Sequence, residues 1–352
     1  MADDFIREIQ DRIRDHAGRR APLRIRGGGT KDFYGAALSG ELLEVAGYAG
    51  VVAYEPRELV VTVRAGTRLA DLEAALAAER QMLPFEPPHF GEGATIGGTV
   101  AAGLSGPRRA YAGAVRDFVL GARIVNGKGE DLSFGGRVIK NVAGYDVSRL
   151  MAGAFGTLGV LTELSFKVLP RPPAETTLAF EMDEKTMIER VNRWAGQPLP
   201  LSASAWTGGR LEVRLSGAAS AVAAARAKLG GEEVPGRDGF WRDLREQRLP
   251  FFRAGEPLWR LSVPQTAAPL ATPHPQLIEW GGGLRWVSGA LDARQVRAAV
   301  ERAGGHATLF RATDKSAGAF HPLQPAIAKI HRRLKAAFDP AGILNPGRLY
   351  DF

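Results

Sequence analysis

Apolar positions recur along this chain at two periods, and each period predicts an element. In ELVVTVRAGTRL, Leu59, Val61 and Val63 alternate with other residues, which predicts a half-buried strand. LADLEAALAAERQ follows, with Leu69, Leu72 and Leu76 at the spacing of one helix face. LPFEPPHFGEG is too rich in proline for a helix or a central strand and predicts a loop. VLGARIV and EDLSF flank Asn126-Gly127-Lys128-Gly129, a hairpin signal, and GVLTELSFKVLP predicts a further strand. At the N-terminus, Phe5, Ile9 and Ile13 share one face of an amphipathic helix.

Pro170-Arg171-Pro172-Pro173 reads as a linker, and the pattern changes beyond it. LEVRLSG, LWRLSVP, LRWVSG and ATLFRA predict strands, three of them with a central arginine: Arg214, Arg260 and Arg285. ASAVAAARAKLG and DARQVRAAVERAGG predict helices packed on one face of that antiparallel sheet. In the last segment Ile327, Ile330, Leu334 and Phe338 form an apolar helical stripe, stopped by Asp339-Pro340-Ala341-Gly342. Strands and helices mix irregularly, so the expected class is α+β rather than a strict βαβ repeat. The units are residues 1–172, 173–320 and 321–352.

Composition narrows the chemistry. The 352 residues contain no cysteine, which excludes disulfides, Cys-ligated zinc or iron–sulfur clusters, and thiolate catalysis. The six histidines, at 16, 89, 274, 306, 321 and 331, show no metal-ligand spacing, so no metal site is expected. The first 18 residues lack the apolar core of a signal peptide, and no run of about 18 apolar residues occurs. A cytoplasmic, soluble chain is expected, with at most peripheral association with the inner face of the cytoplasmic membrane. The net charge is +8, but the basic residues are dispersed. Their densest cluster, Arg332-Arg333-Leu334-Lys335, lies on the polar side of a helix, which reads as a solvated face, with a membrane or subunit surface as the alternative, and no nucleic-acid partner is expected.

Two glycine-rich runs stand outside the periodic pattern. Arg26-Gly27-Gly28-Gly29-Thr30-Lys31 follows a short apolar run, and GATIGGTVAAGLSGPRRAYAG extends from Gly93 to Gly113. Glycines let main-chain N–H groups approach an anion closely, so two such loops can hold a pyrophosphate from two sides. Neither run has the G-x-G-x-x-G spacing of a Rossmann turn or the Gly-Lys-Ser/Thr of a Walker loop. Each single glycine reads equally as a turn; the set points to a nucleotide cofactor and to redox chemistry.

These runs, together with VRAGTRLADLEAAL, KNVAGYDVSRLMAGAFGTLGVLTELSFKVLPRP and the terminal FDPAGILNPGR, resemble the flavoproteins of the vanillyl-alcohol oxidase and p-cresol methylhydroxylase (PCMH) type. The resemblance covers most of the chain and is strongest between Arg24 and Pro170. KNVAGYD and SGPRR, on so short and cysteine-free a chain, are similar in particular to FAD-binding subunits of bacterial glycolate-oxidising complexes. The resemblance implies a two-lobed PCMH-type FAD-binding domain over 1–172, an antiparallel-sheet cap over 173–320, and a C-terminal segment that packs back on the first unit. It implies that Gly27, Gly28, Gly29, Thr30 and Lys31 wrap the FAD pyrophosphate, with Thr95, Ile96, Gly97 and Gly98 opposite. Pro88, Gly93, Ala101, Gly103 and Gly113 would line the flavin and ribityl channel. Gly156, Gly159 and Val160 would pack by the adenine or the ring, and Asn345 would return toward the flavin.

Two departures from the family pattern matter. Many relatives attach flavin to a histidine in the first loop, where this chain has Thr30 and Lys31, so FAD is expected to be non-covalent. Related 2-hydroxy-acid dehydrogenases carry a GDGNxH-type segment that this chain lacks. Oxidising a 2-hydroxy acid needs a carboxylate clamp and a proton acceptor. Arg260 and Arg285 are the clamp candidates, Tyr145 and Lys140 are further polar candidates, and no histidine is well placed as base. The expected function is therefore an FAD subunit of a complex that oxidises glycolate to glyoxylate. Its partners would be a sister FAD-binding subunit and an iron–sulfur subunit, and its flavin would mainly relay electrons. A self-sufficient 2-hydroxy-acid dehydrogenase and a non-catalytic assembly subunit are the alternatives.

Overall fold

The computed structural model describes residues 2–136, 146–253 and 255–351. Lys140 and Tyr145 lie outside the described residues. The architecture is α+β, built on two antiparallel sheets, with an aromatic layer between the larger sheet and loops and short helices of the first half.

The smaller sheet has five strands in the order Val51–Glu55, Val60–Arg64, Val160–Lys167, Val119–Val125 and Asp131–Gly135. The Asn126–Gly129 turn does join the last two, with Val125 opposite Asp131. Val60–Arg64 departs from the half-buried expectation. Val60, Val61, Thr62 and Val63 are all buried: Val61 and Val63 face the first core, and Thr62 on the other face bonds the buried Ser165 of the neighbouring strand at 2.8 Å. The helix Leu69–Ala78 joins that core, with Leu69, Leu72 and Leu76 fully enclosed. A parallel pair, Leu23–Arg26 with Glu41–Glu44, lies beside this sheet. The N-terminal helix Ala2–Arg19 buries Ile6, Ile9 and Ile13 against that pair, and Phe5 stacks on Tyr48 at 5.0 Å.

The larger sheet has eight strands, running Glu232–Glu233, Ala174–Glu181, Arg210–Gly217, Leu201–Thr207, Gln276–Glu279, Leu284–Ser288, Leu258–Ser262 and His306–Arg311. Alternate residues of a strand point to opposite faces, and here the faces have separate tasks. One packs under the helices Glu184–Ala195, Ala219–Leu229 and Ala293–Arg302 through residues such as Val213, Ile278, Trp259 and Val287. The other presents Ala205, Leu277, Leu258, Trp286 and Phe310 to Tyr34, Ala102 and Leu104 of the first half.

Charged contacts fix the two halves across this layer. Arg214 Nη2 donates to both oxygens of Glu86, at 2.8 and 2.9 Å, and Arg108 Nε donates to Glu86 at 3.2 Å. Burial alone would push the Glu86 carboxyl up; Arg214 and Arg108 together hold it below the usual range. Glu246, from the second half, accepts the N–H groups of His89 and Phe90. Breaking one partner of such a buried pair costs about 3–5 kcal/mol, because a charge is left without compensation.

The C-terminal helix Pro325–Phe338 corrects one expectation. Leu334 and Phe338 pack on the first core, but Ile327 and Ile330 stay 44% and 52% exposed, so the stripe is covered only at its C-terminal end. Asp339 then turns the chain. Its buried carboxylate accepts Lys335 Nζ at 2.7 Å and the N–H groups of Ile343 and Leu344. Leu344 bridges Leu23 in parallel, which carries the last residues back across the first half. No helix among the described residues is long and apolar enough to cross a membrane.

Candidate cofactor site

The two glycine runs meet. Gly28 lies against the backbone of Gly93, so closely that a Cβ on Gly28 would fall 1.5 Å from the Gly93 carbonyl oxygen. Only glycine fits at that approach. Thr95 caps the helix Ile96–Ala102, its Oγ1 accepting the Gly98 N–H at 3.2 Å. Between the runs opens a cleft of about 770 Å³, including the part open to solvent.

Most of the residues expected at a dinucleotide line this cleft. Gly27, Gly28, Gly29, Thr30 and Lys31 form one wall, and Thr95, Gly97, Gly98 and Ala101 the opposite one. Gly156, Gly159 and Asn345 close the end. The other expected residues stand behind or beside it. Ile96 and Val160 are fully buried in the cores, and Gly103 and Gly113 terminate short helices. Gly93 supports Gly28 through its carbonyl, and Pro88 is buried just before the loop that Glu246 holds.

The last residues of the chain complete the cleft. Asn345 Oδ1 accepts the Ile25 N–H at 2.8 Å, and its Nδ2 donates to the Phe155 carbonyl at 2.6 Å. Gly156 has a left-handed φ of 71°, and a Cβ there would meet Asn345 Nδ2 at 2.8 Å. Arg348 is buried and donates to the carbonyls of Ala36, Asp32 and Tyr34, gathering the loop that leaves the first glycine run. LNPGR carried the signal for Asn345, but Arg348 in the same run was not anticipated. Burial pushes Arg348 down to about 10, so it stays charged at neutral pH.

Arg26, Lys31 and Arg348 supply the cleft's cations, and Ile25, Val45, Ala65 and Leu161 its apolar wall. Lys31 Nζ donates to the His89 carbonyl at 3.2 Å and lies 5.8 Å from the Phe90 ring centre. Burial lowers its pKa to about 8, with Glu246 opposing. A cleft with close-set backbone, several cations and apolar walls fits an elongated dianion with flat apolar ends, which FAD is.

The catalytic candidates separate. Arg285 is 0% exposed and faces the helix side of the large sheet. It donates to the carbonyls of Ala267, Ala268 and Gly282 and pairs with Glu184 at 3.3 Å. With its donors committed on that face, it does not reach the cleft and serves to anchor the 267–268 loop. Arg260 sits opposite Trp286 and faces the first half, its guanidinium 5.3 Å from the Trp280 ring centre. Arg109, from SGPRR, approaches the same ring at 4.3 Å and was not singled out in the sequence. Among the described residues no cluster of three His, Asp or Glu could hold a metal ion.

Comparison with known proteins places this geometry. The FAD binding domain family matches residues 6–135, and the C-terminal domain of FAD linked oxidases matches residues 321–349. Alkyldihydroxyacetonephosphate synthase has the same fold, with a TM-score of 0.67 at 16% identity over 97% of this chain and 76% of that one. The chain is thus an FAD-linked oxidoreductase, with FAD as its cofactor. It is 48% identical to glycolate oxidase subunit GlcE of Escherichia coli (strain K12), over 99% of this chain and 98% of that protein. It belongs to the family of that subunit. It is also 35% identical to D-lactate dehydrogenase of Anaerostipes hadrus and 32% identical to glycolate oxidase subunit GlcD of Bacillus subtilis (strain 168). Those matches span 41% and 45% of this chain and only 30% and 34% of the two relatives.

Two predictions follow from the cleft. At Gly98 an added Cβ meets only Thr95 Oγ1, at 3.2 Å, so Gly98→Asp tests charge with little disturbance of the backbone. It should cut FAD retention at least tenfold, by placing a carboxylate beside a dianion, while Gly98→Ala keeps its flavin. Equal flavin in the two purified variants would contradict the assignment.

The second concerns Lys31. Its lowered folded pKa means that it is charged below about pH 8 and neutral above. A bound anion favours the charged form, so FAD affinity should fall as pH rises from about 8, and Lys31→Met should flatten that fall. Fluorescence titration of the apoprotein from pH 7 to 10 reads both; a wild-type affinity constant over that range would rule Lys31 out as an anion contact.

Proposed function

We propose that this chain is the FAD-carrying subunit of a heteromeric glycolate dehydrogenase, working beside a sister FAD-binding subunit and an iron–sulfur subunit. The observation that carries the reading is likeness to glycolate oxidase subunit GlcE over nearly the full length of both chains. The cleft supports it. Gly27 to Lys31 and Thr95 to Gly98 hold the pyrophosphate, Arg26, Lys31 and Arg348 offset its charge, and Asn345 ties the start of the first wall to the closed end of the cleft. When bound, FAD supplies acceptance of two electrons from the substrate carbon.

No histidine or cysteine occupies the first loop, so the flavin is held without a covalent bond. The cysteine-free chain has no Cys ligand for a cluster, so electrons leave across a protein interface. The reading divides the chain into an FAD-binding unit, 1–172, a cap, 173–320, and a returning segment, 321–352. Complex formation would also bring any contact with the membrane surface.

The test is reconstitution. The purified chain should be yellow and release all its flavin into the supernatant on acid precipitation. Dye-linked oxidation of glycolate should rise at least tenfold when the sister flavin and iron–sulfur subunits are added. A yellow pellet would refute non-covalent binding, and turnover indifferent to the added subunits would refute the heteromeric assignment.

A further inference from the structure

The C-terminal helix Pro325–Phe338 carries an apolar stripe that is covered at one end only. Ile327, Ile330, Leu334 and Phe338 recur at three- and four-residue spacing, so they share one face. Leu334 and Phe338 pack on the first core, while Ile327 and Ile330, one turn apart, are left to solvent. A single exposed apolar residue is ordinary; two together at the open end of a stripe make a patch.

The patch runs into a groove. Between His331 and Leu334 of the helix and the segment 150–158 lies a groove of about 1070 Å³, including the part open to solvent. Leu150, Leu158, Leu349 and Tyr350 give it an apolar lining. His331 stands edge-on to Tyr350 with ring centres 5.7 Å apart, and burial lowers its pKa, so it is neutral at pH 7. His331 follows Ile327 by four residues, and Leu334 follows Ile330 by four, so the groove continues the exposed stripe along the helix.

The charge around this surface has one sign. The helix holds Lys329, Arg332, Arg333 and Lys335 and no acidic residue. Lys335 is committed, its Nζ donating to the carbonyls of Thr157 and Leu344 and pairing with Asp339. Lys329 and Arg333, four residues apart on the flank beside Ile330, are exposed, and neither joins an ion pair among the described residues. Arg116 and Arg149 also line the groove, in solvent-exposed pairs with Asp117 at 3.9 Å and Asp146 at 3.0 Å, which hold such side chains weakly. Among the described residues no carboxylate lines the groove.

The groove lies directly behind the cofactor cleft. Asn345 lines both, and one stretch of chain separates them: Phe155 and Gly156 line the cleft, and Ala154 and Thr157 the groove. An occupant of the groove is therefore one layer of backbone from the cofactor.

We propose that this helix and groove form the docking surface for the redox partner that takes electrons from this flavin, met through an apolar ridge of the partner flanked by Asp and Glu. Under the functional reading above, on which this rests, that partner is the iron–sulfur subunit. The ridge covers Ile327 and Ile330 and enters the groove, and its carboxylates meet Lys329 and Arg333; a basic surface is repelled. A concave groove suits a protruding segment of protein better than a flat lipid surface. The basic run at 332–335, expected as a solvated face, thereby becomes part of a subunit surface.

The test uses the FAD-loaded chain with its sister flavin and iron–sulfur subunits, and reads uptake of the iron–sulfur subunit by the immobilised chain. Ile330→Glu and Arg333→Glu should each weaken uptake at least tenfold, with flavin content and melting temperature unchanged. Ile330→Leu should assemble as the wild type does. Val52→Glu, on the exposed strand Val51–Glu55 of the smaller sheet, should also have no effect. Raising salt from about 0.05 to about 0.5 M should weaken the wild type more than Arg333→Glu, which has already lost a screened contact. A photo-cross-linking residue in place of Ile330 should attach to the iron–sulfur subunit.

Unchanged uptake by both glutamate variants, an equal loss in Val52→Glu, or cross-links to the sister flavin subunit alone would overturn the proposal. So would binding of the wild type, but not of Ile330→Glu, to phosphatidylglycerol vesicles with subunit uptake intact in both, which would make the surface a membrane contact. Normal assembly by the wild type and both glutamate variants removes the docking surface and leaves the functional reading standing. Failure of every version, wild type included, to take up either subunit removes both.

Discussion

The cofactor cleft depends on a strap made by the last residues of the chain. Asn345 bonds the Ile25 backbone just before the first glycine run and the Phe155 carbonyl at the closed end of the cleft, and Arg348 collects three carbonyls of the loop that follows that run. Without them, Gly27 to Lys31 would be a glycine-rich segment free to take many conformations, and ordering it would fall to the cofactor. The strap is held from behind by Asp339, whose carboxylate accepts Lys335 Nζ and two backbone N–H groups at the end of the C-terminal helix. The helix thus matters for the cofactor although none of its residues is fully buried.

The second constraint is the parity of the large sheet. A strand residue faces either the covering helices or the first half, and one step along the strand reverses the outcome. Arg260 and Arg285 occupy similar local sequences, LWRLS and LRWVS, yet Arg260 is paired with Trp286, and Arg285 therefore takes the other face. One guanidinium meets Trp280 between the halves, and the other is enclosed beneath loop carbonyls. Register alone decides which arginine is enclosed under the helices and which faces the first half.

Much of this was legible in the chain. The hairpin at Asn126–Gly129, the helix face of Leu69, Leu72 and Leu76, and the meeting of two glycine runs were all written in local spacing. The strands Leu201–Thr207 and Gln276–Glu279 were not. LSASAWT alternates small residues with little contrast in hydrophobicity, and QLIE is too short to show a period. Arg348 was passed over because an arginine near a chain end reads as solvated, and its partners lie more than 300 residues away. Arg108, bound in the Glu86 pair, and Arg109, over the Trp280 ring, are neighbours in SGPRR, and nothing local tells their surroundings apart.

The central claim is that three distant segments, 27–36, 95–98 and 345–348, act as one cradle. Hydrogen exchange read by mass spectrometry, on the chain with and without FAD, tests it most directly. The cradle predicts that FAD slows exchange in all three segments together, by tenfold or more, while the helix side of the large sheet is unchanged. Slowing confined to the first glycine run, with 345–348 exchanging at the same rate in both states, would contradict it.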